Sequence, residues 1–247
     1  MSGIYLFLIM FIRLTSCQSD FNHLAFVIQW PPTLCGYSGV QCKPTINKQR
    51  FTMHGVWPGN STGHSLKCSL PPQHSEEYVK DVWEKNADLA KQLHNYWPTF
   101  LLTNTDEAFW MREWEVHGYF TKQTLPAADY FQGAMKIAEK MKLKGKKNGL
   151  LATVTNKFLT ALLFSKYDEV IYKMSDLQIS LDKVTTKKVY ISCTPKNDSF
   201  AYLKDIHFCT DKMMGRFIDC PAANLDTRGC GPIYRQRKII VPLKAIV

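Results

Sequence analysis

The chain has 247 residues, 45% of them hydrophobic, and its 31 Lys and Arg outnumber its 21 Asp and Glu, which gives a formal charge of +10 at pH 7. This length and apolar content exclude a disordered chain and allow a substantial hydrophobic core. The charge excludes an acidic protein and favours polyanionic partners such as RNA, an acidic polysaccharide or a membrane surface. Since the sequence contains no evident linker or repeat, we expect one domain.

Residues 1–19 are predicted to be a secretory signal peptide. Residues 4–12 form an apolar run that is too short to span a bilayer, and small or polar residues follow it up to Ser19. The Lys or Arg that usually precedes such a run is missing. No later stretch is long enough to cross a membrane, so residues 20–247 are expected to form a secreted, extracellular domain without a membrane partner.

The eight cysteines indicate disulfides, because the chain is expected to be exported. No Cys-x-x-Cys pair occurs, which argues against a zinc cluster. Cys35 and Cys42 surround Gly36 and Gly39 and are close enough to staple a small loop. If the signal peptide takes Cys17 with it, an odd number remains and one thiol has no partner within the chain.

The first predicted strand covers residues 23–30, an aliphatic and aromatic run that Pro31-Pro32 should stop. Gln29 is the exception within it, because a buried amide must find hydrogen-bond partners. Its side chain either pins a neighbouring loop or offers its donor and acceptor to the edge of a base.

A second strand is predicted over residues 51–59, with Thr52 and His54 on one face and Phe51 and Met53 on the core side. A histidine at a strand end is commonly structural. Here Gly55 follows it, and a glycine lets another group approach the backbone closely. The sequence therefore leaves both a structural and a functional role open for this histidine.

Residues 60–75 are rich in Ser, Pro, Gly and His and are expected to form a surface loop. This loop begins with the sequon Asn60-Ser61-Thr62, and a second sequon starts at Asn197. Both asparagines are predicted to be glycosylation acceptors, although so short a motif is weak evidence by itself.

The remaining elements are predicted from apolar periodicity. Helices are expected over residues 76–96, 127–144 and 153–165, with an apolar loop over residues 99–104. Strands are expected over residues 188–192, 202–209, 214–218 and 237–241, the last of them ended by Pro242.

Residues 109–120, FWMREWEVHGYF, form the most informative segment. Thr105 and the acids after it are typical of a helix start, and Gly118 of a helix end. On a period of 3.6 residues, Trp110 and Trp114 share a face that should be buried. The residues of a second face are Phe109, Arg112, Glu113, Val116 and His117.

This second face carries a cation, a carboxylate and an imidazole together, which is typical of a cleft wall where acid, base and charge act on a substrate. Glu and His one turn apart are also common as an ordinary exposed pair. The helix alone therefore leaves two interpretations open.

The two histidine segments together fit cleavage of a phosphodiester. One imidazole can remove the ribose 2′-hydroxyl proton while the other protonates the departing 5′-oxygen. A third group must stabilise the additional negative charge on phosphorus. This chemistry needs no metal or other cofactor. A zinc hydrolase that uses His54, Glu113 and His117 is an alternative, although these residues match no common zinc spacing.

Three segments, FVIQWPPTLC, FTMHGVWPGN and FWMREWEVHG, resemble in the same order the signatures of the ribonuclease T2 family, the secreted base-nonspecific ribonucleases. The resemblance covers residues 26–241, and the basic charge points to the S-RNase branch of flowering plants. It implies a single disulfide-stapled α+β domain with a central antiparallel sheet flanked by helices. It also implies cleavage of single-stranded RNA through a 2′,3′-cyclic phosphate, by a protein that acts in self-incompatibility and has pollen F-box proteins as partners.

The resemblance also implies roles for individual residues. His54 would protonate the leaving oxygen, His117 would accept the 2′-hydroxyl proton and Glu113 would assist the phosphate, although the sequence leaves open which histidine is the acid. Trp57 would form a wall of the site. The residues implied for a base pocket, which would stack on and hydrogen-bond a base, are Gln29, Thr99, Phe100, Leu101 and Phe109.

Three positions depart from the family pattern His-Glu-Trp-Glu-Lys-His-Gly-Thr-Cys. Arg112 replaces the first His, Val116 replaces the Lys and Phe120 replaces the Cys. Arg112 still offers a cation to phosphate, and we hypothesise that it partly covers for the ammonium that Val116 lacks. The departures keep open a catalytically impaired relative that binds RNA or a protein. A ribonuclease for defence or phosphate scavenging is a further alternative.

The resemblance implies three disulfides, Cys35–Cys42, Cys193–Cys230 and Cys209–Cys220. In the family, the cysteine that Phe120 replaces pairs with the counterpart of Cys68. We therefore expect Cys68 to be free in a monomer or to link two chains as a disulfide dimer.

Overall fold

The computed structural model describes residues 20–44, 50–62, 65–68, 79–141, 168–221, 230 and 238–243. The predicted signal peptide and the helix predicted over residues 153–165 lie outside these residues. Among the described helices, none has the length and apolar content that crossing a bilayer requires.

A six-stranded sheet, counted over the described residues, forms the centre of the fold. Its order is β2-β1-β5-β6-β3, with β4 paired to β5. Every pair is antiparallel except β5 with β6, which is parallel. The strands are β1 His23–Gln29, β2 Thr52–Gly59, β3 Glu169–Lys173, β4 Tyr190–Pro195, β5 Phe200–Thr210 and β6 Lys238–Pro242. The predicted α+β fold with a central, largely antiparallel sheet is confirmed.

Helices accompany the sheet, and their starts follow local capping chemistry. The α-helices are α1 Pro31–Leu34, α2 Ala87–Tyr96, α3 Asp106–Val116, α4 Ala127–Met141 and α5 Met174–Thr185. Thr105 caps α3 by accepting a hydrogen bond from the backbone N–H of Ala108 (3.1 Å), as expected for its position. A 3₁₀ turn over Gly118–Thr121 follows α3, which confirms the predicted end of that helix.

Several predicted elements need correction. The continuous helix over residues 76–96 is wrong: residues 79–84 are helical, but Asn86 then caps a new helix by accepting from Leu89 N–H. Pro31-Pro32 does not only stop β1, because proline also suits the first turn of a helix and starts α1. The strand over residues 214–218 is wrong too. Met214 has a left-handed φ of 56°, and the segment is a turn with one bridge, Thr210 to Phe217. β3 and α5 were not predicted from the sequence.

The buried indoles of α3 are confirmed. Trp110 and Trp114 are at most 1% exposed. Trp110 packs edge-on against Trp83, and Trp114 packs edge-on against Tyr130 of α4 and at a tilt against Phe131 of the same helix. At the end of α3, a Cβ on Gly118 would lie 2.2 Å from the Trp114 ring. Glycine is therefore required where the chain leaves the helix.

The three predicted disulfides, Cys35–Cys42, Cys193–Cys230 and Cys209–Cys220, are present. The prediction for Cys68 is wrong, because this cysteine is disulfide-bonded and no free cysteine exists among the described residues. The Cys68-linked dimer is withdrawn with it.

Candidate active site

A β-bulge in β2 creates the strand side of the site. Val27 of β1 pairs with Gly55 and Ile28 pairs with Met53, so His54 is an extra residue without a register partner. An extra residue shifts the alternation of faces by one. As a result Met53 and Val56 join the main core, while Trp57 joins the other face of the sheet together with Val27. The bulge therefore places His54 and Trp57 on one face, and the core position predicted for Phe51 and Met53 is confirmed.

His54 contacts a carboxylate that the sequence analysis did not identify. Its Nδ1 lies 3.1 Å from Oδ1 of Asp205, a buried residue of β5. A carboxylate can only accept, so Nδ1 carries the proton and Nε2 faces away from Asp205. Burial acts to lower the pKa of His54, but the charge and hydrogen bond of Asp205, with a smaller contribution from Glu113, raise the pKa above its usual value. An acid within a buried strand was the available signal for Asp205.

Glu113 reaches the same face from α3. Its carboxylate accepts a hydrogen bond from the indole N–H of Trp57 at 2.8 Å. A Cβ on Gly55 would lie 2.1 Å from Oε2 of Glu113, so the predicted close approach to this glycine is confirmed. Burial raises the pKa of Glu113, whereas the positive charge of His54 and the Trp57 hydrogen bond oppose the shift.

His117 follows the last residue of α3 and is buried. The carbonyl of Leu66 lies 3.2 Å from its Nδ1, and a carbonyl only accepts, so this nitrogen carries the proton and Nε2 holds a lone pair. Residues 65–68 are fixed here, since Leu66 N–H donates to Pro58 and Cys68 N–H donates to Val116. Burial lowers the pKa of His117 to about 3, against a small opposing effect of the Leu66 hydrogen bond.

Trp57 brings the two histidines together. Its ring centroid lies 4.9 Å from that of His54, in an edge-on arrangement, and 4.9 Å from that of His117, which stacks on it. The two imidazoles are therefore no more than twice this distance apart. Because Glu113 binds the same indole, the structure brings together all three predicted catalytic residues around one tryptophan.

A cavity of about 130 Å³ opens beside His54. All five residues predicted for a base pocket line it, and aromatic and aliphatic side chains dominate its walls. Of the six other wall residues, His54 was predicted as catalytic, and the remaining five were not predicted from the sequence. The complete lining is Gln29, Trp30, Leu34, Tyr37, His54, Thr99, Phe100, Leu101, Phe109, Lys204 and Asp205.

The cavity walls are held by hydrogen bonds from several elements. Gln29 donates through Nε2 to the carbonyl of Met53 (3.2 Å), so it pins β2, and its amide oxygen remains the group that can accept from a ligand. Asp106 at the start of α3 accepts from Thr99 N–H at 2.7 Å. Leu101 bridges to Cys42, so the Cys35–Cys42 disulfide loop buttresses the same wall. The pocket is therefore built before any ligand arrives.

The departures in α3 leave this side of the site poor in fixed positive charge. Val116 is half-buried and offers no charge. The side chain of Arg112 is 67% exposed and its Nη1 lies 3.4 Å from Glu115, so its guanidinium is engaged at the rim. Its charge, like that of Lys67, reaches His117 only as a minor influence after burial and the Leu66 hydrogen bond.

Within the described ranges, no three His, Cys, Asp or Glu side chains converge in a way that could hold a metal ion. This holds for His54, Glu113 and His117, the residues of the alternative zinc site. Each of them instead has the protein partner described above.

Comparison with known proteins matches this arrangement to one family. The model of the ribonuclease T2 family matches residues 21–220, which is most of the chain. Ribonuclease 3 of Arabidopsis thaliana is 29% identical over 209 residues, covering 83% of this chain and 86% of that protein. Ribonuclease S-6 of Pyrus pyrifolia is 28% identical over 218 residues, covering 86% of each.

Among solved structures, RNase NT in complex with 5′-AMP is similar to this chain, with a TM-score of 0.66 and 26% identity. The similarity covers 91% of this chain and 99% of that one. The fold is therefore shared over nearly the whole described domain.

Proposed function

Because the chain belongs to the ribonuclease T2 family, we propose that it is an endoribonuclease that cleaves single-stranded RNA by internal transphosphorylation. In the proposed reaction the ribose O2′ attacks phosphorus and the P–O5′ bond breaks. The products are a 2′,3′-cyclic phosphate and a free 5′-hydroxyl. The observation that carries the proposal is the pair of imidazoles that flank Trp57 with opposite pKa shifts beside a preformed cavity.

The opposite shifts support one division of labour. His117 has a pKa lowered to about 3, so it is neutral near pH 7, and its Nε2 can accept the 2′-hydroxyl proton. His54 has a raised pKa, so it retains a proton that Nε2 can deliver to O5′. With the roles reversed, both groups would be in the wrong protonation state at every pH between the two pKa values.

The neutral state of His117 has a chemical cost, because a base with so low a pKa is a weak proton acceptor. A phosphodiester bound next to it brings a negative charge, and a nearby opposite charge raises the pKa of an imidazole. The base is therefore strengthened only when substrate is present. Glu113, bound to Trp57, lies beside the reacting atoms in this arrangement and assists the phosphate. The reaction as proposed uses only side chains of this chain and no metal or cofactor.

The cavity supports recognition of a base next to the scissile phosphate. Phe109 and Phe100 supply apolar and aromatic surface for stacking, while the Gln29 oxygen supplies an acceptor. His54 lines the same cavity, which supports an orientation in which the bound nucleotide presents its phosphate to the imidazole.

A 5′-labelled single-stranded oligoribonucleotide tests this function. The wild type should cleave it to fragments that end in a 2′,3′-cyclic phosphate, and chelator should leave the rate unchanged. Variants His54→Ala and His117→Ala should be nearly inactive, whereas His94→Gln, a change at a half-exposed histidine outside the cavity, should retain activity. Absence of cyclic product from the wild type would refute the proposal.

A second candidate, a non-catalytic relative that binds RNA or a protein, is favoured by the uncharged Val116 and by the engagement of Arg112 with Glu115. It predicts that the wild type binds the same oligonucleotide without cleaving it. The loss of one transition-state donor usually slows an enzyme by about a hundred- to a thousandfold. Such a loss leaves measurable turnover, and we therefore place the ribonuclease first.

We further propose that the protein is secreted and acts as an S-RNase in self-incompatibility, with pollen F-box proteins as partners. Its charge of +10 and its similarity to ribonuclease S-6 support this role. Expression confined to styles, with allelic versions that differ within residues 60–75, is the expected result. Expression throughout the plant with an invariant loop would instead indicate a defence or phosphate-scavenging ribonuclease. Glycosylation at Asn60 and Asn197 is proposed with secretion, and a mass shift on deglycosylation would test it.

A further inference from the structure

We propose that Asp205 is the positioning residue of the general acid: it fixes the His54 ring and its tautomer, and it holds the proton that His54 delivers to O5′. This proposal deepens the proposed function and rests on it. Asp205 itself does not have to touch the reacting atoms.

Asp205 and His54 come from strands that are not neighbours in the sheet. His54 lies on β2 and Asp205 on β5, two strands apart, or roughly 10 Å at the usual strand spacing. Gln29 of β1 lies between them, since it is in register with both Thr52 and Asp205. The side chains meet over β1 because the bulge turns His54 toward this face, which closes the 3.1 Å contact.

Burial disfavours the charged form of Asp205 unless a partner compensates for it. The Asp205 side chain is 3% exposed, and a buried charge is unfavourable unless it is paired. Its partners are His54 and, at 3.7 Å from Oδ2, the half-exposed ammonium of Lys204. Burial tends to raise the pKa of Asp205, but the charges of His54, Lys204 and His207 together lower it, so the group is ionised. An uncharged amide could accept the same hydrogen bond, but it would not favour the protonated form of His54.

The charge acts on the proton of His54. Four other titratable groups influence this imidazole or its carboxylate: Glu113 and His117 at α3, and Lys204 and His207 on β5. Of the groups around His54, Asp205 hydrogen-bonds the ring, and its charge raises the pKa of His54 more than that of Glu113 does. It also leaves Nε2 as the only ring nitrogen available to substrate, because it occupies Nδ1.

The discriminating test compares two substrates in the Asp205→Asn variant. One is a dinucleoside phosphate, whose 5′-oxygen leaving group needs a proton; the other is the p-nitrophenyl ester of a nucleoside 3′-phosphate, whose leaving group does not. The asparagine oxygen can still accept from Nδ1, so the ring should stay in place while the charge is lost. Since a general acid contributes about a hundred- to ten-thousandfold, kcat/KM for the dinucleotide should fall by about tenfold to a hundredfold. That for the ester should be unchanged.

The pH profile supplies a second readout. The activity of the enzyme on the dinucleoside phosphate should fall at high pH, when His54 loses its proton. In Asp205→Asn this fall should move to lower pH. The control is Asp211→Asn, the same change at a partly exposed carboxylate outside the cavity, and it should leave both readouts unaltered. An equal loss on both substrates with an unmoved profile would overturn the proposal, as would a changed base preference, which would assign Asp205 to base recognition.

Nuclear magnetic resonance separates a failure of this proposal from a failure of the proposed function. If the wild type cleaves no RNA, the His54 titration midpoint should still be lower in Asp205→Asn, and an unmoved midpoint would overturn the pairing. If the variant does not fold, the ¹⁵N shifts of wild-type His54 decide the question. They should show the proton on Nδ1 when the ring is neutral, and a proton on Nε2 instead would contradict the proposal.

Discussion

The site has one histidine on its strand side and one on its helix side, and the pKa values of these two imidazoles are shifted in opposite directions. On the strand side, His54 contacts the ionised Asp205 and is 25% exposed, and its pKa is raised. On the helix side, His117 contacts the neutral carbonyl of Leu66 and is buried, and its pKa falls to about 3. The difference shows that the partner of Nδ1, with burial, decides whether an imidazole is prepared to give or to take a proton.

Removing either imidazole should have the largest effect. His54→Ala and His117→Ala should each lower kcat/KM on RNA by about a hundred- to ten-thousandfold, because each removes one proton-transfer group. The p-nitrophenyl ester sharpens the comparison, since its leaving group needs no acid. It should restore activity to His54→Ala and not to His117→Ala, as measured by release of p-nitrophenol. Restoration in the reverse pattern would exchange the two roles.

The two sides should also differ in how stability depends on pH. His117 stays neutral in the folded state down to about pH 3, whereas it binds a proton near pH 6.5 when unfolded. The unfolded state therefore holds more protons between these values, and the free energy of unfolding falls as pH drops, by up to about 1.4 kcal/mol per pH unit. His117→Gln should lose this acid sensitivity in urea unfolding at pH 7 and pH 5.

His54 should show the opposite sign. Its raised pKa means that the folded state holds more protons above pH 6.5, so its contribution is complete below that pH and is lost as pH rises through the folded value. His54→Gln should therefore destabilise the protein more at pH 5 than at pH 8. Identical pH dependence of the two glutamine variants would break the comparison.

Gly55 of β2 lies against Glu113 of α3, where the strand side and the helix side of the site meet. Substitution of Gly55 should have the next largest effect. A Cβ there would lie 2.1 Å from Glu113 Oε2, so Gly55→Ala must displace the carboxylate. We expect a loss of about 1–3 kcal/mol of unfolding free energy together with slower cleavage. Gly215→Ala is the matched control, because its Cβ would lie 3.5 Å from Asp211, an ordinary contact. Equal behaviour of the two alanine variants would show that Glu113 does not need this approach.

The uncharged Val116 should give the smallest effect, and in the opposite direction. Val116→Lys adds a cation beside His117 at a half-buried position of α3, and one added transition-state donor should raise the rate on RNA by about tenfold to a hundredfold. Val116→Met adds similar length without charge and should leave the rate nearly unchanged. Equal rates for Lys and Val would rule out a handicap at this position.

Local signals made part of this structure predictable. The cap at Thr105, the stop at Gly118 and the period of the indoles all lie within one helix, and each is confirmed. The core position of Met53 needed only the alternation of a strand. These features depend on neighbours in sequence, which propensity and periodicity describe well.

The features that the sequence analysis missed come from distant contacts. Asp205 is 151 residues from His54, and Leu66 is 51 residues from His117. The bulge at His54 depends on pairing with β1 and has no local signature beyond Gly55. The break at Asn86 was different, because an asparagine before Ala-Asp is a recognisable helix start that the longer apolar period obscured.

The central claim is that two histidines of one site hold opposite protonation states. Titration of ¹⁵N-histidine-labelled protein by nuclear magnetic resonance tests it most directly, with the two resonances assigned from His54→Gln and His117→Gln. The account predicts that His54 titrates above pH 6.5, whereas His117 stays neutral until the pH approaches about 3. Titration of both rings together near pH 6.5, or of His117 above His54, would contradict it.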